Sequence, residues 1–436
     1  MNSSGTNAAS QSPANTNSPA PRVGWTRWVV CGFLFAATAL NYVDRQTISF
    51  LKPVLSKQYG WDQQDYANIV MFFMIAYAIG YVGFGRLIDR IGAKLGYSIA
   101  VVIWTIAHLS CAMMGSLTGF KIGQAALGLG QGGNFPAALK AVAEWFPQRE
   151  RALANGIFNA GTNIGAILTP LIVPFVMLRY GWQAAFVATG SLSVVWLILW
   201  TLFYGRPRES KKVSAAELAY IESDQAPPVK RVPWLKLIFV KETWAFAVGK
   251  FLTDPVWWFY LFWLPTFFVE TYHLKVEVIA APIIVIYIIS DVGSIIGGWI
   301  SSAMIARGAS VNLARKLTML LCACCVLPVA FATNFVHDLW ATTVIIGIAA
   351  AAHQAFSANL YTVPSDTFPQ AAVGSVSGIG GTAGAIGGII MALGVGKALQ
   401  DLHTYTPIFI VAGSIYFVAV LLIHWLSPGL SQTKAL

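Results

Sequence analysis

Charged residues are scarce in this chain of 436 residues, because Asp, Glu, Lys and Arg together make up only 11% of it. A soluble globular chain would carry about 25% charged residues. Hydrophobic residues instead reach 56%. This composition excludes an ordinary soluble domain and predicts a protein whose surface faces lipid.

Sequence patterns for catalysis, metal binding and ATP hydrolysis are also missing. No phosphate-binding Walker loop occurs, so ATP-driven transport is unsupported. The cysteines and histidines show no metal-ligand spacing, and we expect no bound metal and no cofactor. His108, His353 and His424 are scattered and lack matching catalytic partners, so the chain is not expected to be an enzyme. The lack of a filter-like loop disfavours a channel.

Apolar stretches long enough to cross a bilayer recur along the whole chain. We count twelve, over residues 28–50, 66–88, 96–116, 120–142, 153–178, 183–204, 243–269, 278–304, 314–334, 339–361, 373–397 and 405–427. The predicted fold class is therefore an all-α polytopic membrane protein with twelve transmembrane helices.

The basic residues are distributed unevenly between the gaps that separate these spans. Even-numbered gaps and the two tails hold 20 of the 28 Lys and Arg residues. Positive charge is retained on the cytoplasmic side of membranes, so both termini are expected there. The net charge of +10 is thus a topology signal that also attracts anionic lipid, and it does not indicate nucleic acid.

The longest polar stretch separates six spans from six. We expect a disordered cytoplasmic tail over 1–21, a six-helix bundle over 22–204 and a cytoplasmic linker over 205–242. A second six-helix bundle is expected over 243–428, followed by a cytoplasmic tail over 429–436. In the linker, Ser214 and Glu217 have the spacing of a capping box that opens a short helix.

The two halves share a sequence repeat. Residues 144–148 read EWFPQ and residues 366–370 read DTFPQ, and both precede a Gly-Ile pair and then IGAI or IGGI. One offset of 222 residues aligns all three pieces without a gap. Two parallel six-span repeats predict pseudo-symmetric bundles with a binding site between them near the bilayer midplane.

An aspartate and an arginine, Asp44 and Arg45, lie next to each other near the end of the first predicted span. A charge at bilayer depth is costly unless it faces protein, water or a partner. Neighbouring residues on a helix point about 100° apart, so each charge should meet a different partner. The alternative is a helix end with both charges in interfacial water.

A loop motif follows the second span, where residues 85–94 read GRLIDRIGAK. This stretch resembles the signature of the major facilitator superfamily. Gly85 and Gly92 would permit close helix approach, and Asp89 with its neighbour Arg90 would form a charge latch at a helix terminus. The resemblance implies the major facilitator fold.

Within that superfamily the chain resembles the anion:cation symporters, from about residue 25 to 428. The stretches that carry the resemblance are 42–45, 134–137, 144–152, 251–258, 347–354 and 365–366, and several look most like bacterial hexuronate transporters. The resemblance implies proton-coupled uptake of a sugar carboxylate. In this family the arginine matching Arg45 is taken to bind the carboxylate, and the aspartate matching Asp44 to carry a proton.

Physical chemistry supports both roles. An arginine fork matches a carboxylate through two parallel hydrogen bonds that desolvation strengthens. A partly buried aspartate can load and release protons near neutral pH. A nearby arginine lowers the pKa of an aspartate. A substrate carboxylate on Arg45 would weaken this effect and favour protonation of Asp44, which is our hypothesis for coupling.

The fourth span departs from the family, which usually has an arginine and, seven residues later, a glutamate. This chain has Gln124 and Gln131 there. One interpretation is a neutral hydrogen-bonded pair that replaces a structural ion pair. The other is altered coupling, because glutamine takes up no proton in this range. Asp44 is then the first candidate for the proton site, followed by Asp254 and Asp291.

Further polar and aromatic residues inside spans are candidates for binding sugar hydroxyls, because sugar sites combine amides, hydroxyls and an aromatic platform. They are Tyr42, Tyr77, Asn159, Thr162, Asn163, Trp257, Trp258, Tyr260, His353, Gln354 and Ser357. An interfacial aromatic belt is the alternative for the tryptophans. Lys250 is expected to reach the membrane surface at the start of its span.

These observations together favour a proton symporter for a small anionic sugar acid, with hexuronate preferred, in the bacterial inner membrane. The alternatives are a facilitated or altered-coupling transporter of an aldonate or other organic anion, and a ligand sensor with the transporter fold. The sequence is compatible with a monomer.

Overall fold

The protein is all-helical over the part that the computed structural model describes, which is residues 24–223, 234–275, 278–335, 337–368 and 370–430. The predicted tails therefore fall largely outside the described residues, as does the middle of the linker. The helices before the linker are α1 (Thr26–Tyr59), α2 (Gln63–Ile91), α3 (Ala93–Cys111), α4 (Leu117–Gln131), α5 (Asn134–Trp145), α6 (Gln148–Tyr180) and α7 (Trp182–Phe203).

The remaining helices begin in the linker and continue to the C-terminal end. They are α8 (Ala215–Glu222), α9 (Trp234–Ile238), α10 (Lys241–Tyr272), α11 (Ala280–Ala306), α12 (Val311–Val326), α13 (Leu339–Leu360), α14 (Thr362–Thr367), α15 (Gln370–Leu402) and α16 (Thr406–Leu426). Short 3-10 segments occupy Pro207–Glu209 and Leu327–Phe335.

Ten of the described helical segments are long and apolar enough to cross a membrane. The other two predicted spans are present but differ in form. One is broken after Gln131 into α4 and α5, and the other, α10, carries Lys250 and Asp254 among its charged residues. All twelve predicted spans therefore correspond to helices, in the two six-helix bundles of the predicted fold class.

The sequence repeat is also a structural repeat. Helices α6 and α15 each contain 33 residues. Their first residues, Gln148 and Gln370, are separated by the same 222-residue offset that aligns the two sequence motifs. Both helices follow an extended residue, Phe146 or Phe368, that ends the preceding helix.

Helix packing follows the same symmetry. Helix α1 packs against α6 and α7, and α10 packs against α15 and α16. Helix α2 packs against α4, and α11 packs against α13. Between the bundles, α2 packs against α15 and α11 packs against α6. The central faces of α1 and α10 therefore lie next to the bundle interface.

One end of the bundles carries the linker, and we call it the linker end. There Glu217 of α8 accepts a hydrogen bond from the backbone N–H of Arg27 at 3.1 Å, and Arg27 forms an ion pair with Glu150 of α6 at 2.8 Å. Ser214 caps α8 through Glu217 N–H. The reciprocal half of the predicted capping box is replaced by the contact between Glu217 and α1.

The opposite end, where α1 ends and α2 begins, joins the two bundles through polar contacts. Glu270 of α10 accepts hydrogen bonds from Lys52 at 3.2 Å and Gln63 at 2.8 Å. Tyr66 of α2 donates to the backbone oxygen of Phe262 at 2.9 Å. Among the described residues, the hydrogen bonds between bundles all involve residues 46–66 on one side and 262–287 on the other.

Candidate functional site

Asp44 and Arg45 lie in the middle of α1, which continues to Tyr59. Asp44 is 0% exposed and Arg45 is 1% exposed. The alternative of a helix end in interfacial water is therefore wrong. The two side chains leave α1 in different directions, so one points toward the other bundle while the other points into its own.

Arg45 points toward the bundle interface and is surrounded by aromatic rings. Its guanidinium carbon lies 4.6 Å from the ring centre of Tyr42, 4.9 Å from that of Tyr77 and 5.4 Å from that of Phe73. The fourth ring, Trp258 at 5.2 Å, comes from α10 in the other bundle. Aromatic faces attract cations, so these rings hold the guanidinium in place without neutralising it.

The hydrogen bonds of Arg45 go to neutral groups. Its Nε donates to Gln131 Oε1 at 3.0 Å, and its second terminal nitrogen donates to Asn41 Oδ1 at 2.9 Å. No carboxylate among the described residues lies within ion-pair distance of it. A buried cation without a counter-charge is costly, and an anionic ligand would remove that cost.

Gln131 and Gln124 do not form the neutral pair that one interpretation of the sequence predicted. Gln131 accepts from Arg45 and donates to the backbone oxygen of Asn41 at 2.8 Å. Gln124 points to α3, where its amide contacts Cys111 Sγ at 3.8 Å. The described residues contain no hydrogen bond between the two amides, so the two substitutions have separate local effects.

Asp44 points into the first bundle, between α3 and α7. Its Oδ2 accepts a hydrogen bond from Ser193 at 2.9 Å, and its Oδ1 lies 3.3 Å from His108 Nε2. Thr189 lies 2.7 Å from the same nitrogen. The proximity of His108 to Asp44 was not predicted, because the two residues lie on different helices.

The second bundle has its own pair of charges, on α10. Lys250 Nζ lies 2.8 Å from Asp254 Oδ2 and donates to Tyr361 Oη at 2.7 Å. Lys250 is only 3% exposed, so the expectation that it reaches the membrane surface was wrong. Gly384 of α15 makes room for this pair, since a Cβ there would lie 2.2 Å from the Asp254 carboxylate.

Trp258, whose ring covers Arg45, lies about two turns after Lys250 on α10. Trp258 packs edge-on against Tyr77 with ring centres 5.9 Å apart. We call this region, formed by Arg45, Tyr42, Tyr77 and Trp258, the central site.

A second aromatic layer lies on the side of the other bundle. Trp257 stacks on His353 with ring centres 5.4 Å apart and an angle of 6° between the planes. His353 Nδ1 is hydrogen-bonded to Tyr416. Tyr260 is fully buried and its hydroxyl has no hydrogen-bond partner among the described residues.

The other candidate residues are more dispersed. Asn159 of α6 is exposed, and Thr162 donates to Asn163 at 3.2 Å. Gln354 is half-buried and Ser357 is buried on α13. Asp291 of α11 has one buried carboxylate oxygen with no hydrogen-bond partner in the described part of the chain.

The loop motif joins α2 to α3 at the linker end. Gly92 has a φ of +85°, a conformation that side-chain-bearing residues rarely adopt. A Cβ on Gly85 would meet open space, so close helix approach does not explain that glycine. Arg90 is exposed, and the side chain of Asp89 lies outside the described part of the structure.

A large apolar cavity lies apart from the residues of the central site. It has a volume of about 370 Å³ and is lined by α10, α15 and α16, including Phe251, Ile390 and Val411. Its lining offers no charged group for an anion, whereas the central site has one. An anionic ligand would therefore find a counter-charge at the central site and none in this cavity.

Three comparisons place this geometry among known proteins. Residues 34–392 match the family model described as Major Facilitator Superfamily. The "Hexuronate transporter" of Escherichia coli (strain K12) is 30% identical and covers 91% of this chain and 93% of its own length. The "Galacturonate transporter" of Dickeya chrysanthemi is 32% identical over 68% of this chain and 87% of its own length.

A solved structure has the same fold. The inward-facing, occupied form of a bacterial homolog to the human lysosomal transporter Spinster superposes with a TM-score of 0.70. It is 16% identical and covers 93% of this chain and 98% of that one.

Proposed function

Because this chain belongs to the Major Facilitator Superfamily, we propose that it is a secondary active transporter that carries a sugar carboxylate, with hexuronate favoured, together with protons. The observation that carries the proposal is Arg45, which is buried without a carboxylate partner at the bundle interface. A substrate carboxylate supplies the missing counter-charge and accepts paired hydrogen bonds from the guanidinium.

The surrounding aromatic groups fit the rest of such a substrate. Tyr42 and Tyr77 offer hydroxyls beside Arg45, and Trp258 offers a flat apolar face. Sugars present hydroxyls at their edges and C–H groups on their faces, so both kinds of contact are useful. The names of the relatives, hexuronate and galacturonate transporters, point to the same substrate class.

Transport would proceed by alternating access. Trp258 of one bundle covers Arg45 of the other, so rocking of the bundles would expose the guanidinium and cover it again. The polar contacts between bundles lie on the side away from the linker. With the linker and both termini in the cytoplasm of a bacterial inner membrane, these contacts would hold the bundles together on the outer side.

The coupling ion would be a proton, since Asp44 is a buried carboxylate without a lysine or arginine partner among the described residues. Protonation would make Asp44 neutral, so the bundles could rock without moving an uncompensated charge at this position. Gln131 cannot supply this proton site, because an amide does not titrate in this range.

The test is uptake of radiolabelled glucuronate or galacturonate into proteoliposomes, with and without an inward proton gradient. Accumulation above the external concentration only with the gradient supports symport. Uptake that ignores the gradient would replace symport by facilitated transport. Binding without flux would favour a sensor, and transport of aldonates alone would change the substrate.

A further inference from the structure

Two buried atoms next to each other in the first bundle have no hydrogen-bond partner among the described residues. They are Oδ1 of Asp44 and Nδ1 of His108. Both residues are 0% exposed. The distance from Asp44 Oδ1 to His108 Nε2 is 3.3 Å, which is ion-pair distance, although the geometry does not meet that of a hydrogen bond.

The hydrogen bonds around this pair determine where a proton can bind. Ser193 directs its only hydroxyl hydrogen to Asp44 Oδ2, so Oδ2 already accepts. Thr189 directs its hydrogen to the backbone of α7, which leaves its oxygen to accept the N–H of His108 Nε2. Asp44 Oδ1 and His108 Nδ1 are then the free proton acceptors of the pair.

Within the described part of the chain, no Lys or Arg side chain pairs with Asp44 or His108. Helix α3 contributes Cys111 beside the pair, and α4 contributes Gln124 through its contact with that cysteine. Helix α7 contributes the neutral groups Thr189 and Ser193, and the ring of Phe186 against His108. Arg45 is adjacent in sequence but turns to α2 and α4.

We propose that His108 is a second proton-binding residue of this transporter, which shares the coupling proton with the Asp44 carboxylate of the proposed function. This inference rests on the proposed function. One proton enters on His108 Nδ1 or on Asp44 Oδ1, and the net charge of the pair changes from −1 to 0. Loading on Nδ1 gives an imidazolium whose Nε2 lies 3.3 Å from the Asp44 carboxylate, while loading on Oδ1 gives two neutral groups.

The pair is separate from the central site, because the side chains of Asp44 and Arg45 leave α1 about 100° apart and contact different helices. Proton binding at Asp44 and substrate binding at Arg45 would therefore be coupled through α1, which carries both residues. His108 acts here as a positioning and proton-binding residue for Asp44, a role that the sequence alone did not assign to it.

The experiment compares His108→Gln with wild type in proteoliposomes. Glutamine keeps an amide that can hydrogen-bond Thr189 but binds no proton in this range. We expect gradient-driven accumulation to fall at least about tenfold, while exchange of external for internal substrate, which needs no net proton movement, stays within about twofold. The pH profile of uptake should also lose a titration step. His424→Gln, at an exposed histidine of α16, is the matched control and should behave as wild type.

Unchanged accumulation and an unchanged pH profile in His108→Gln would overturn the inference. If that variant does not fold, Thr189→Val keeps the histidine but removes the acceptor of its Nε2–H, and an altered pH profile supports the pair while an unaltered one contradicts it. The controls separate the two proposals. Wild type without any sugar-acid uptake contradicts the proposed function, whereas coupled uptake in both wild type and His108→Gln contradicts only the role of His108.

Discussion

Helices α1 and α10 occupy equivalent places in the two bundles, but they manage their buried charges differently. In α10, Lys250 and Asp254 are one turn apart and pair directly at 2.8 Å. In α1, Asp44 and Arg45 are neighbours that point in different directions, and each contacts other groups. The charges of α10 neutralise each other, whereas those of α1 are left available.

This difference explains why the first bundle carries the proposed chemistry. A cation already paired with a carboxylate gains little from a second anion, because part of its charge is compensated. Arg45, held only by neutral hydrogen bonds and aromatic rings, gains more from a substrate carboxylate. Lys250 still adds to the positive electrostatic potential around it, but its main partner is Asp254 of the same helix.

The largest expected effect comes from removing the available cation. Arg45→Ala should lower glucuronate transport at least about 100-fold, since it removes a paired, charge-assisted contact of about 3 kcal/mol. Initial uptake rates in proteoliposomes measure the loss. Arg179→Ala, at an exposed arginine of α6, is the control and should transport normally. Normal uptake by Arg45→Ala would remove Arg45 from the site.

A second change breaks the internal pair of α10. Lys250→Met leaves the Asp254 carboxylate without its cation, and breaking a buried ion pair in this way should destabilise the protein by roughly 3 kcal/mol. The thermal melting temperature in detergent should fall accordingly. Adding Asp254→Leu to that variant should restore most of the loss. If the melting temperature of the double variant is as low as that of Lys250→Met, the unpaired Asp254 carboxylate does not explain the destabilisation.

A third change gives Arg45 of α1 a carboxylate partner within the protein, as Lys250 of α10 already has. Gln131→Glu places a carboxylate where an amide oxygen now lies 3.0 Å from Arg45 Nε. This internal anion should compete with substrate and raise the KM for glucuronate about tenfold, which is about 1.4 kcal/mol. The rise should shrink in acidic buffer, where the new carboxyl binds a proton. Adding Gln124→Arg restores both family charges, and an unchanged KM and proton dependence would show that these positions are structural.

The smallest expected effect concerns the aromatic wall. Trp258→Ala removes a ring 5.2 Å from Arg45 and should raise the KM about fivefold, because a cation–π contact contributes about 1 kcal/mol. Trp258→Phe keeps a ring and should lose less. Trp340→Ala, at an exposed tryptophan of α13, is the control. Equal KM values for Trp258→Ala and wild type would exclude the ring from binding.

Much of the fold could be predicted from the sequence, since long apolar runs and the 222-residue repeat depend on local composition. The ends of α6 and α15 match that repeat at Gln148 and Gln370. The division of Asp44 and Arg45 between two partners followed from helix geometry. These features need no knowledge of how one helix is rotated against another.

The partners of the site residues depend on that rotation, and sequence reasoning missed several of them. His108 meets Asp44 from a different helix, and no spacing signal connects them. Gln124 and Gln131 share a helix but contact different neighbours. For Lys250 a signal did exist, because Asp254 lies four residues later on the same face, which is the spacing of a helical ion pair.

The most direct test of the contrast between the two helices is glucuronate binding by calorimetry to two purified variants. One is Arg45→Met, which removes the available cation. The other is Lys250→Met combined with Asp254→Leu, which removes the internally paired charges. We predict that the first loses detectable binding and that the second keeps a Kd within about threefold of wild type. Retained binding in Arg45→Met, with loss in the double variant, would contradict the account and move the carboxylate site to α10.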